Sequence, residues 1–177
     1  IGVFRGSEEN VMSRVIGAAD LVTADVVVEI TGDCPIIDPQ LIDQAVRTFC
    51  ANNVDYVSNN LQPSYPDGMD TEVFKLETLK ASASMTTDVQ DKEHVSRHIR
   101  SNPDLFSHIY LPAPSELHWP ELGLTLDEHS DYLLLKKIIE YFEPDYPVFS
   151  CSQVVELLKK KNDWIKINDH VVRTGHV

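Results

Sequence analysis

Short runs of β-branched residues alternate along this chain with longer stretches whose apolar side chains recur at helical spacing. That alternation belongs to an α/β fold, with a sheet covered on both faces. Residues 24–31 (ADVVVEIT) are the strongest strand, and their Val/Ile content predicts the buried middle of a parallel sheet. Ser7, followed by Glu8 and Glu9, is expected to open a helix, because carboxylates suit the positive end of the helix dipole. Asp38 before Pro39 is expected to cap a second helix that runs to Phe49. Further strands are predicted over residues 54–58, 71–75, 106–111 and 122–126, and helices over 76–83, 89–100, 131–142 and 151–161, the last capped by Ser150 or Ser152. Residues 164–177 read as a polar, basic tail, an arm or a disordered end. Residues 1–4 already read as strand with nothing before them, so the chain is expected to be a fragment that starts inside its fold.

With 177 residues, 42% of them hydrophobic, the chain suffices for one sizeable core. An excess of acids, 28 against 15 Lys and Arg, gives a net charge of -13, which argues against nucleic acid or an anionic membrane as partner. Even the most apolar segment, residues 24–30, contains Asp25 and Glu29, so no membrane span is expected. Three cysteines without a CxxC pair point to a reducing cytoplasm.

In open α/β sheets ligands bind beyond the carboxyl ends of strands, and two predicted strands are followed by aspartates, Asp33 and Asp127. Mg²⁺ prefers carboxylate oxygens and commonly takes only one or two from the protein, so this pair is a candidate metal site. Each could instead cap the next helix, although Asp38 competes with Asp33 for that role and Ser130 with Asp127. Asp67-Gly-Met-Asp70-Thr-Glu72 brings three acids together; strand spacing puts Asp70 and Glu72 on one face, while Asp67 reads as a solvated turn. His94 and His98 stand at i and i+4, but no third ligand accompanies them and the HExxH order is broken. His94 and Arg97 face either an anionic substrate or plain solvent. Arg5 and Ser7 lie beside a helix start and are candidates for an anion contact, with N-capping as the alternative for Ser7. The glycines form neither GxGxxG nor GxxxxGK[ST], there is no GxSxG elbow, and Cys34 reads as packing rather than as a nucleophile.

Several blocks occur in one order: VFRGSEENV with Arg14, ITGDCPIIDP (30–39), DYVSNN (55–60), YPDGMDTEVF (65–74), EHV (93–95) and LTLD (124–127). Together they resemble the SpsF-type cytidylyltransferases of spore-coat polysaccharide synthesis, relatives of the CMP-Kdo and CMP-sialate synthetases. The resemblance implies a Rossmann-like three-layer α/β/α nucleotidyltransferase (GT-A-like) fold over residues 1–163, missing its first βα units, with 164–177 as a C-terminal tail. It also implies a cytoplasmic homodimer that joins CTP to a sugar, giving a CMP-sugar for cell-surface glycans. Asp33 and Asp127 would hold Mg²⁺, Arg5, Ser7 and Arg14 would lie near the nucleotide, and Asp70, Glu72, His94 and Arg97 would face the sugar. Relatives open with a Gly-rich phosphate loop; a chain starting after it is expected to lose most CTP affinity. Two alternatives stay open: a truncated, non-catalytic homologue used for dimerisation or binding, and a nucleotide-sugar glycosyltransferase, which normally shows a DxD motif.

Overall fold

A computed structural model describes residues 2–143, 145 and 148–173. The Val-rich run forms strand β1 (Val26–Glu29), and β2 (Tyr56–Ser58), β3 (Glu72–Lys75) and β4 (His108–Tyr110) join it in one sheet of order β1-β3-β2-β4. The prediction of a buried parallel centre is corrected: β3 runs antiparallel to both β1 and β2, and β1 is at the end of the strand order, with Val26 and Val28 each 39% exposed. A run of β-branched residues reports β propensity but not strand direction, which the connections set. The register pairs Glu29 with Glu72 across β1 and β3, and Ser58 with Glu72 across β2 and β3.

The chain falls into two compact units. The first comprises 1–29, 46–58 and 72–109, the second 30–45, 59–71 and 110–177, so the backbone passes between them after Glu29, Ala45, Ser58, Thr71 and Ile109. The sheet belongs essentially to the first unit, with helices α1 (Val11–Leu21), α3 (Leu76–Met85), α4 (Val89–Glu93) and α5 (Arg97–Arg100); α2 (Pro39–Ala51) begins in the second and ends in the first. In the first unit Tyr56, Val57, Val73, Phe74, Leu79 and Ile99 are fully buried. Asn10, rather than Ser7, caps α1 by accepting from the Ser13 N–H, so Glu8 and Glu9 lie ahead of the helix. The single helix expected over 89–100 is two short ones, parted at His94, the C-cap of α4. Residues 2–4 take up no strand.

The second unit holds α6 (His129–Phe142), α7 (Cys151–Lys160) and α8 (Asn162–Ile165) around a core that includes Tyr65, Met69, Leu122, Leu124, Leu134, Ile138, Val154 and Leu158. The amphipathic patterns read in the sequence place Leu134, Leu135 and Ile138 inward as expected. Ser150 caps α7 in a capping box with Gln153. Asp38 serves two helix starts: its Oδ1 accepts from Gln40 N–H at 2.8 Å and its Oδ2 from Cys151 N–H at 2.7 Å. The tail expectation is revised for its first part, because Trp164, Ile165 and Ile167 pack on this core and Asn168 is 4% exposed. Residues 174–177 lie outside the described residues.

Candidate functional site

The segment expected as a strand over 122–126 is a loop carrying an isolated parallel bridge, Asp67 with Gly123. Asp127 therefore does not leave a sheet strand, and a shared sheet rim is not what joins it to Asp33. The link is a backbone bond: the Leu126 N–H donates to the Asp33 carbonyl at 2.8 Å, which fixes the two aspartates one residue apart across a loop contact in the second unit. The capping alternatives fall away as well. Asp38 caps α2, and Glu128 is the N-cap of α6 in a capping box with Asp131. Asp127 is exposed and its Oδ2 accepts from Thr125 Oγ1 at 2.8 Å; Asp33 is half-buried in the turn after Thr31.

Asp131 supports the Asp127 turn. Its side chain is fully buried, and Oδ2 accepts from the N–H groups of Asp127 (3.2 Å) and Glu128 (2.9 Å). Oδ1 accepts from Asn168 Nδ2 at 2.8 Å and from Arg173 Nη2 at 2.5 Å. Burial works to raise its pKa, yet the Asn168 amide, the Glu128 N–H, the Arg173 charge and the Asp127 N–H outweigh it and hold the carboxyl below its ordinary value. Arg173 also lies 3.3 Å from Asp67 Oδ2. Its guanidinium covers Gly123 so closely that a Cβ there would come 1.9 Å from Arg173 Cζ.

The Asp67 loop is tied to the same region. Asp67 N–H donates to the Leu122 carbonyl at 2.9 Å, and Leu124 N–H to the Asp67 carbonyl at 2.7 Å. Gly68, at φ 100°, takes a conformation that suits glycine, and a Cβ there would press on the Leu124 backbone at 2.7 Å. Asp70 follows, half-buried, and is near enough to Cys34 to act on it electrostatically. Burial first, helped by Asp33 and Asp70 and opposed by the Thr31 hydroxyl, pushes the Cys34 thiol up to about 12. A thiol that keeps its proton there is a packing residue, as read from the sequence.

The remaining site residues of the sequence reading lie in the first unit. Arg14 donates to the carbonyls of Ser7 and Glu8, and Ser7 Oγ accepts from Asn10 N–H at 3.0 Å, while Arg5 is exposed. Arg97 pairs with Asp91 at 2.5 Å and Asp88 at 3.4 Å; His94 is exposed; His98 Nδ1 meets Ser82 Oγ at 3.0 Å. Glu72 is 9% exposed and lies across from Glu29 rather than on an open loop. Burial, the Glu72 charge second and Arg100 opposing, raises Glu29 to about 8. Among the described residues no three His, Cys, Asp or Glu side chains gather as a metal-binding group, and no helix is long and apolar enough to cross a membrane. Two carboxylates remain compatible with Mg²⁺, whose other ligands are commonly water and phosphate.

Sequence reasoning missed Asp131, Asn168 and Arg173. An acid three residues after Glu128 was a readable capping signal; nothing local marked Arg173.

A four-stranded sheet packed with helices, and the loop contact that ties Asp33 to the residue before Asp127, belong to an α/β protein. A solved cytidylyltransferase from Leptospira borgpetersenii superposes with a TM-score of 0.89 at 31% identity, covering 97% of this chain and 71% of that one. The cytidylyltransferase family profile matches residues 1–160, and the chain belongs to that family. The spore coat polysaccharide biosynthesis protein SpsF of Bacillus subtilis is 32% identical over 162 residues, 91% of this chain and 66% of SpsF. An uncharacterized protein of Methanocaldococcus jannaschii is 33% identical over 171 residues, 97% of this chain and 68% of its own length. The chain thus spans about two-thirds of the length of these curated relatives.

Proposed function

We propose that this chain supplies the metal-binding face of a CTP-dependent cytidylyltransferase that makes a CMP-sugar for surface glycans. A sugar hydroxyl would attack the α-phosphorus of CTP, its O–P bond forming as the bond to pyrophosphate breaks and the hydroxyl proton departs. The observation that carries the reading is the Leu126-to-Asp33 bond, which brings together two acids 94 positions apart (127 minus 33), neither used as a helix cap. Membership in the cytidylyltransferase family and the likeness to SpsF support it.

Asp33 and Asp127 would hold Mg²⁺, which when bound neutralises charge developing on the phosphates. The protein's own share is positioning. Thr125 orients the Asp127 carboxylate, Asp131 fixes its backbone, and the Asp67 turn leads into Asp70, which is close enough to Cys34 to act on it electrostatically. Arg5, Ser7 and Arg14 are assigned to the nucleotide, and Glu72, His94 and Arg97 to the sugar; for Arg97 this means exchanging its pairs with Asp88 and Asp91. In the full-length protein, Asp33→Asn and Asp127→Asn are expected to lower kcat for pyrophosphate release from CTP by at least about 100-fold with folding intact. Wild-type turnover in either variant, or in EDTA, would remove the metal role.

A further inference from the structure

We propose that Arg173 is a positioning residue of the carboxylate site, coupling the C-terminal segment to the geometry of Asp127 and of the loop that carries Asp70. The inference rests on the reading that Asp33 and Asp127 bind a divalent cation. Arg173 is only 13% exposed, and its charge is divided between two acids, Asp131 at 2.5 Å and Asp67 at 3.3 Å. Asp131 holds the Asp127 N–H, and Asp67 is bridged to Gly123, three residues after which Leu126 binds the Asp33 carbonyl. One guanidinium therefore braces both approaches to the carboxylate pair.

Removing it would leave the buried carboxylate of Asp131 with only neutral donors, Asn168 and two backbone N–H groups. A buried charge stripped of its counter-ion is costly, so the turn is expected to shift, and that shift loosens the hold on the Asp127 N–H. The site was already prepared for this side chain: Gly123 has no Cβ where the guanidinium lies. Partners that orient a metal ligand are typically worth roughly 10- to 100-fold in metal affinity or activity.

The test uses the full-length protein and Mn²⁺ as a paramagnetic stand-in for Mg²⁺, with free Mn²⁺ measured by electron paramagnetic resonance and folding checked by circular dichroism. Arg173→Ala is expected to weaken Mn²⁺ binding about 10-fold. Millimolar methylguanidinium is expected to restore it, and Arg173→Lys to retain part of it; neither response follows from a general loss of stability. Should Arg173→Ala not fold, Gly123→Ala, whose methyl group displaces the guanidinium and leaves every charge in place, must show the same weakening. A folded Arg173→Ala or Gly123→Ala protein with wild-type Mn²⁺ affinity would overturn the proposal. If Asp33→Asn and Asp127→Asn also bind Mn²⁺ normally, the metal reading itself falls; if they lose it while Arg173→Ala does not, only the role of Arg173 falls.

Discussion

Glu29 pairs in register with another acid, Glu72, inside a four-stranded sheet, and the cost is seen in its proton affinity. Its pKa is raised from 4.5 to about 8 by burial and then by Glu72. A raised carboxylate favours the folded state at low pH, and that stability is lost as pH climbs from about 4.5 through about 8. Glu29→Gln is therefore expected to flatten the decline in unfolding free energy between pH 5 and pH 8, by about 1–3 kcal/mol relative to wild type, read from urea titrations at both pH values. Parallel pH profiles for the two proteins would show that Glu29 ionises normally. The sequence displayed Glu29 only as an acid interrupting valines; its opposition to Glu72 depended on a register that no local pattern records. Asp33 and Asp127 can be singled out as candidates in the sequence because each follows an apolar run beside a turn, whereas the contacts of Arg173 with Gly123, Asp67 and Asp131 join residues far apart along the chain.

Helix boundaries were the most readable elements, since caps and amphipathic spacing are local. Asp38 illustrates both the reach and the limit of that reading: its service to α2 follows from Asp-Pro, its bond to Cys151 at the start of α7 does not. At 4% exposure, a carboxylate that satisfies two helix termini is expected to contribute about 2–4 kcal/mol, the sum of two buried caps. Asp38→Ala should lower the urea midpoint accordingly without changing the slope, and Asp38→Asn, which keeps one acceptor oxygen, should recover about half of the loss. A loss under about 0.5 kcal/mol for the alanine variant would mean that water replaces both bonds. The elements that escaped sequence reading are those decided by tertiary pairing. Strand β3 reverses direction, residues 122–126 form no strand but carry an isolated β-bridge to Asp67 and a backbone bond to Asp33, and the 89–100 helix breaks at His94, where a short connection was not visible as Gly or Pro.

At the scale of the molecule, a net charge of -13 sets a repulsive background against which every acid cluster is built. Self-repulsion disfavours the compact state and is screened within about 10 Å at 0.1 M salt. The thermal midpoint is therefore expected to rise by a few degrees as NaCl increases from about 0.02 to about 0.3 M, because exposed like charges are screened more than the buried Arg173 pairs. A midpoint that falls with salt would mean that attractive surface pairs dominate instead.

The backbone's passages after Glu29, Ala45, Ser58, Thr71 and Ile109 have a practical corollary for anyone who would cut this protein. Neither half can be excised as a contiguous stretch of gene, so shuffling between relatives must exchange both together, and a single nick in any passage severs covalent continuity without releasing a free-standing piece.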